Sequence, residues 1–238
     1  MAAKTLTIDG KQISAEESAT ILQAATEAGI KIPTLCHLEG VYDVGACRLC
    51  LVEVKGTPKL LPACTLKVAE GMEVTTDSER LRKYRRMTLE LLFAERNHVC
   101  AVCVANGRCE LQTLAYSQGM DHVRYEYLFP KWEVDNTHRL FGMDHNRCVL
   151  CGRCVRVCWH IESAGTRNVS GRGARSKIIT DLNQPWGKSE SCTEFGKCVM
   201  SCPTGALFQK GSAVGESERH REKLEFIVTA RDKNLWNA

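Results

Sequence analysis

The sequence has no long apolar run. Its longest, such as 91-LLFA-94, fall far short of the roughly 18 residues that a membrane-crossing helix needs, so no membrane span is expected. It also lacks a charged-then-apolar leader, because it opens on the polar MAAKTLTIDG, and an exported, disulfide-stapled protein is therefore not expected. A cytoplasmic location follows from that reading. A glycine-rich phosphate loop is missing too: Gly171-Arg172-Gly173 has neither the further glycine nor the following helix that cradle a dinucleotide. Long internal repeats are absent.

What the 238 residues hold in excess is cysteine, 14 in all, in close C-x2-C pairs. In a chain without an export signal such pairs point to metal. The first group is Cys36, Cys47, Cys50 and Cys64, spaced x10, x2 and x13. A [2Fe-2S] cluster needs four thiolates from a loop that wraps it, and in 43-DVGACRLC-50 the glycine at Gly45 lets the backbone come close. Zinc or free thiols are the alternatives for this group, although zinc usually joins one C-x2-C pair to another.

The second group, in 98-HVCAVCVANGRC-109, has Cys100, Cys103 and Cys109 but no fourth cysteine. His98 is the candidate to complete a [4Fe-4S] site, since neutral imidazole ligates iron and raises the potential relative to thiolate alone. A solvent-facing histidine with a fourth ligand elsewhere is the alternative.

The third and fourth groups echo each other. 148-CVLCGRCVRVC-158 and 192-CTEFGKCVMSC-202 align residue for residue, like the two halves of a bacterial ferredoxin. There the fourth cysteine of each run ligates the other cluster. One [4Fe-4S] site then uses Cys148, Cys151, Cys154 and Cys202, the last preceding Pro203. The mirror site would use Cys158, Cys192, position 195 and Cys198, but position 195 is Phe. Either Phe195 fills that pocket and the cluster is missing, which is the expectation, or a three-iron or otherwise ligated cluster persists.

Around these groups the chain reads as α+β. Residues 4–14 alternate about an Asp9-Gly10 turn as a hairpin, and a helix over 21–30 follows with Ser18 or Thr20 as its N-cap. A strand over 50–56 and a second hairpin-like pair around Gly71 complete an N-terminal β-grasp [2Fe-2S] ferredoxin-like domain, 1–78. A helical domain with the His-ligated cluster spans 79–118, its helix over 80–97 carrying an apolar stripe of Leu81, Tyr84, Thr88, Leu91 and Leu92. The basic residues Arg80, Arg82, Lys83, Arg85 and Arg86 read as its solvated face, with a docking patch or a counter-charge for an anionic cluster as the alternative. A linker, 119–143, leads to a bacterial-ferredoxin-like [4Fe-4S] domain, 144–210, and an amphipathic helical tail, 211–238.

The formal charge of +4 is offset by the clusters, whose thiolate-ligated forms carry about −5 in total and bring the loaded protein to about −1. Nucleic acid is therefore not an expected partner.

Order and spacing together resemble the iron-sulfur N-terminal part of the large complex I subunit and the accessory domains of iron-only hydrogenases. The chain is most similar to the small diaphorase subunit of soluble NAD-reducing nickel-iron hydrogenases, over residues 1 to about 210. Two positions depart from these patterns: the place four residues before Cys100, where complex I-like relatives carry their histidine, is Arg96, and Phe195 replaces a cysteine. The relatives with a catalytic region continue well past the ferredoxin unit, so a stand-alone subunit is expected. The resemblance implies one [2Fe-2S] and two [4Fe-4S] clusters and no catalytic residue. It implies as partners a flavin/NAD-binding diaphorase subunit and the small and large hydrogenase subunits, the latter because no nickel-iron cysteine pattern is present here. The overall reaction would be reversible oxidation of hydrogen with NAD+. An input subunit of a formate dehydrogenase or complex I-like enzyme is the nearest alternative, and a zinc scaffold or nucleic-acid module a distant one.

Overall fold

The computed structural model describes residues 3–211, and the tail expected over 211–238 lies almost wholly outside them. Contacts group the chain into two compact units. Among the described residues, the first holds 3–37, Asp43–Leu91 and Leu114–His122; the second holds Leu38–Tyr42, Leu92–Thr113 and 123–211.

The first unit begins with the expected hairpin. β1 (Ala3–Ile8) and β2 (Lys11–Glu16) pair antiparallel from Ala3↔Glu16 to Ile8↔Lys11. Asp9 and Gly10 both have positive φ, 49° and 79°, as a two-residue turn matched to strand twist requires. Alternation turns Leu6, Ile8, Ile13 and Ala15 into the core. Helix α1 (Ile21–Glu27) starts at a capping box, with the Thr20 hydroxyl accepting from the Gln23 N–H and the Gln23 side chain accepting from the Thr20 N–H. Its buried face is Ile21, Leu22, Ala24 and Ala25.

β3 (Leu51–Val54) pairs with β4 (Leu61–Pro62) and with β5 (Glu73–Thr75), giving a sheet of order β2-β1-β5-β3-β4. Here the expected hairpin around Gly71 is corrected. β5 does not fold back on the segment before it but inserts between β1, parallel, and β3, antiparallel. Asp9 ties the end of β5 to the first turn by accepting from the Thr76 N–H at 2.7 Å.

α2 (Glu79–Ala94) runs close to the expected span, with the Ser78 hydroxyl accepting from the Leu81 N–H at its start. Its buried residues are Leu81, Arg85, Leu89, Glu90 and Ala94, while Tyr84 and Leu91 are exposed. The stripe differs from the apolar pattern because Arg85 is taken inward by three carbonyls: Nε donates to Leu49 and Nη2 to Leu51 and Thr76. Of the basic cluster, Arg80, Arg82, Lys83 and Arg86 are exposed and Arg85 is not. A short helix, α3 (Glu110–Ser117), follows.

In the second unit, β6 (Val134–Asp135) and β7 (Phe141–Asp144) lie within or start inside the segment read as a linker. They form a sheet of order β10-β7-β6 once β10 (Leu207–Gln209) returns. Between them come α4 (Arg153–Arg156), the antiparallel pair β8 (Arg167–Ser170) and β9 (Lys177–Thr180), and α5 (Lys197–Ser201). The core of this part combines Phe141, Met143, Ile178, Trp186, Val199 and Leu207 with buried cysteines.

Candidate metal centres

None of the 14 cysteines is in a disulfide, and 11 of them are buried. In the first unit Cys36, Cys47, Cys50 and Cys64 converge. The Cys36 N–H points at the Cys47 sulfur at 3.4 Å, the Cys36 thiol reaches Cys47 and Cys64, and Cys50 reaches Cys64. Hydrogen bonds from Cys47 and Cys64 hold Cys36 far below the ordinary thiol range. Cys47 and Cys64 are pushed above it, first by bonds among the thiols and then by burial. Four thiols this close cannot all ionise without bound cations, which is the condition an iron cluster satisfies. The loop that carries them uses left-handed backbone at Gly45 (φ 60°) and at Arg48 (φ 56°).

In the second unit, His98, Cys100, Cys103 and Cys109 line one small cavity of about 10 Å³. The His98 Nε2 is buried without a hydrogen-bond partner, so the bond this ring makes to the Leu92 carbonyl falls to Nδ1. That arrangement fixes the tautomer of a metal ligand, with the Nδ1 proton engaged and a lone pair free on Nε2. Burial pushes the ring down to about 4, so it is neutral at pH 7. Burial likewise raises Cys109 to about 11. Gly205 completes the wall: a Cβ there would stand 2.4 Å from the Cys103 sulfur. The residues fit a one-histidine, three-cysteine cluster.

Cys148, Cys151, Cys154 and Cys202 line a cavity of about 20 Å³. Burial raises Cys148 to about 11 and Cys151 to about 12, and raises Cys154 well above its ordinary value. Cys202, from the later run, lines the same cavity as the three cysteines of the earlier run. This site and the preceding one adjoin, since Cys109 and Cys202 influence each other electrostatically and the Glu110 N–H donates to the Pro203 carbonyl at 2.9 Å.

Cys158, Cys192 and Cys198 line a third cavity of about 30 Å³. Phe195 does not fill it. Its ring is 71% exposed at the cavity's edge, with the Lys197 ammonium 5.0 Å from its centroid. Sequence reasoning also missed the groups behind this cavity, Arg167, Trp186 and His138, which lie far from the cysteines along the chain and belong to no spacing motif.

Buried or part-buried arginine accompanies every group: Arg85 beside Cys50, Arg147 on the His98 cavity, Arg153 beside Cys151 and Cys202, and Arg167 beside Cys198. Among the described residues no three His, Cys, Asp or Glu side chains converge tightly enough to hold a single metal ion. The thiolates of a [4Fe-4S] cluster stand wider apart, each on its own iron, and those of a [2Fe-2S] cluster sit in two pairs on two irons.

Sites of this kind, on a mixed helix and strand framework, define an iron-sulfur electron carrier. Residues 2–79 match the 2Fe-2S iron-sulfur cluster binding domain, 85–124 the NADH-ubiquinone oxidoreductase-G iron-sulfur binding region, and 144–206 the 4Fe-4S dicluster domain. The "NAD-reducing hydrogenase HoxS subunit gamma" of Cupriavidus necator is 34% identical over 207 residues, 86% of each chain. The "NADPH-Fe(3+) oxidoreductase subunit alpha" of Geobacter sulfurreducens is 39% identical over 206 residues, 87% of this chain, which spans only 24% of that relative's length. A subunit in the crystal structure of NAD+-reducing [NiFe]-hydrogenase in the H2-reduced state superposes with a TM-score of 0.84 at 35% identity, covering 92% of this chain and 95% of that one. The chain belongs to the family of iron-sulfur subunits that includes the gamma subunit of NAD-reducing hydrogenase. Its three matched regions account for one [2Fe-2S] and two [4Fe-4S] clusters. Among the described residues no helix is long and apolar enough to cross a membrane.

Proposed function

We propose that the chain is the electron wire of a cytoplasmic NAD-reducing hydrogenase, carrying single electrons between a flavin/NAD(H) diaphorase subunit and the small and large hydrogenase subunits. The overall reaction is H2 + NAD+ = NADH + H+, with the substrate chemistry on the partners. The ligands are Cys36, Cys47, Cys50 and Cys64 for [2Fe-2S], and His98, Cys100, Cys103 and Cys109 with Cys148, Cys151, Cys154 and Cys202 for the two [4Fe-4S] clusters. The N-terminal sheet order, with a helix laid after the first hairpin, supports a β-grasp domain there. The sheet of β6, β7 and β10 supports a ferredoxin-like unit that starts before residue 144.

The observation that carries this reading is the adjacency of the two ligand sets in the second unit. Gly205, three residues past Cys202, has no side chain, and the Cys103 sulfur of the other set stands 2.4 Å from where its Cβ would be. When bound, the clusters supply one-electron storage at fixed positions. The protein's own part is to bury the thiols, to aim N–H groups and arginines at them, and to keep His98 neutral with Nε2 free.

The test is to isolate the chain with its natural partners and add NADH anaerobically. Cluster EPR signals that grow in with NADH, and are lost when the flavin subunit is removed, support the wire. Copurification with a formate-oxidising subunit would move the chain to the neighbouring reading.

A further inference from the structure

The loop 192–198 holds the backbone of a cluster-binding loop although position 195 is no longer cysteine. In 148–154, Leu150 (φ 51°) and Gly152 (φ 70°, ψ 6°) are left-handed and lead into α4. In 192–198, Glu194 (φ 60°) and Gly196 (φ 72°, ψ 6°) do the same and lead into α5. A side chain at Leu150 or Glu194 disfavours that conformation; in the second loop the Arg139 guanidinium donates to Glu194 at 2.7 Å and the Phe141 ring lies against Gly196, which hold the shape in place.

The groups behind the three cysteines are arranged for negative sulfur. The Arg167 N–H points at the Cys158 sulfur at 3.4 Å and the Trp186 Nε1–H at the Cys192 sulfur at 3.3 Å. Arg167 is 2% exposed, and its guanidinium carbon lies 3.6 Å from the Trp186 ring centroid. Nη1 donates to the Thr180 hydroxyl and the side chain also bonds the Cys198 thiol, whereas among the described residues Nε and Nη2 meet no oxygen or nitrogen acceptor and no carboxylate stands within ion-pair distance. A buried guanidinium with no carboxylate partner favours negative sulfur beside it.

His138 cannot be the missing ligand. Its Nδ1 accepts from the backbone N–H of both Leu140 and Phe141, so Nε2 carries the proton, facing Cys192 at 4.0 Å and Glu194 at 3.5 Å. Phe195 offers no donor atom. Three thiolates remain for a cavity larger than that of the four-cysteine site.

We propose that Cys158, Cys192 and Cys198 hold a [3Fe-4S] cluster, a cubane whose fourth corner, the one a ligand at position 195 would complete, carries no iron. Arg167, Trp186 and His138 direct positive charge and N–H groups at its sulfurs, and the site adds a fourth one-electron carrier to the chain. The proposal rests on the chain being an iron-sulfur protein but not on the identity of its partners.

The test uses the full chain assembled with iron and sulfide under anaerobic conditions, read by iron and acid-labile sulfide content and by EPR of the oxidised protein. About 13 iron atoms per chain are expected, against about 10 for three clusters alone. An oxidised-state signal of a three-iron cluster should disappear on reduction. Cys192→Ser should remove the signal and about 3 iron atoms while the other clusters' reduced signals stay, and Phe195→Cys should replace the signal by that of a four-iron cluster at about 14 iron atoms. About 10 iron atoms with no oxidised signal overturns the proposal and leaves the wire standing. So does a signal that survives Cys192→Ser, which would come from a damaged four-cysteine cluster, and so do 14 iron atoms in the unaltered chain. Zinc without sulfide would overturn the wire as well.

Discussion

The loops 148–154 and 192–198 share a backbone and differ in what they present. Both use a left-handed residue, then a left-handed glycine, then a short helix. At the middle position the first loop turns Cys151 inward, and the second turns Phe195 out to solvent. The comparison teaches that the fold of such a loop is held by its neighbours and by what it encloses, not by the complete set of ligands. The loop with one thiolate fewer still encloses a cavity.

The strongest way to break the comparison is to remove a ligand on the complete side. Cys202→Ser, which takes the crossing thiolate from a buried four-cysteine site, should abolish one [4Fe-4S] EPR signal and lower iron by about 4 atoms. Gly205→Ala should act almost as strongly on the neighbouring site. Its new methyl meets the Cys103 sulfur at 2.4 Å and the Ala105 Cβ at 3.4 Å, so the His98 cluster should be lost while the Cys148 cluster survives, separable by their EPR spectra. His98→Cys should keep that cluster but lower its midpoint potential, because an all-thiolate set favours the oxidised form, and potentiometric titration would report it. The smallest effect sharpens the comparison best. Phe195→Ala should change unfolding free energy by no more than about 0.5 kcal/mol in urea titrations, as expected of an exposed side chain. A ring that filled the cavity would cost about 3 to 5 kcal/mol instead.

Local signals in the sequence were the most legible. The Asp9-Gly10 turn and the Thr20 cap are each set by a few adjacent residues, and each appears where the pattern places it. The convergence of His98 with Cys100, Cys103 and Cys109, despite the histidine's shifted place, was legible because all four lie within 12 consecutive residues. Long-range choices were not. The insertion of β5 between β1 and β3 depends on sheet pairing that no local alternation encodes. Arg85 reads as a surface charge until three carbonyls from other segments are seen to claim it. Arg167, Trp186 and His138 carry no spacing signature, and the direction of Phe195 is decided by backbone angles at Glu194 and Gly196 that its own identity does not predict.

The central claim is that the cysteine groups are one-electron carriers, and a reductive titration of the full chain with a calibrated low-potential reductant tests it most directly. Uptake of about three electrons per chain by the [2Fe-2S] and two [4Fe-4S] clusters, and of about a fourth by the proposed three-iron cluster, is the predicted result. A chain that takes up no electrons, and whose cysteines carry zinc, would contradict it.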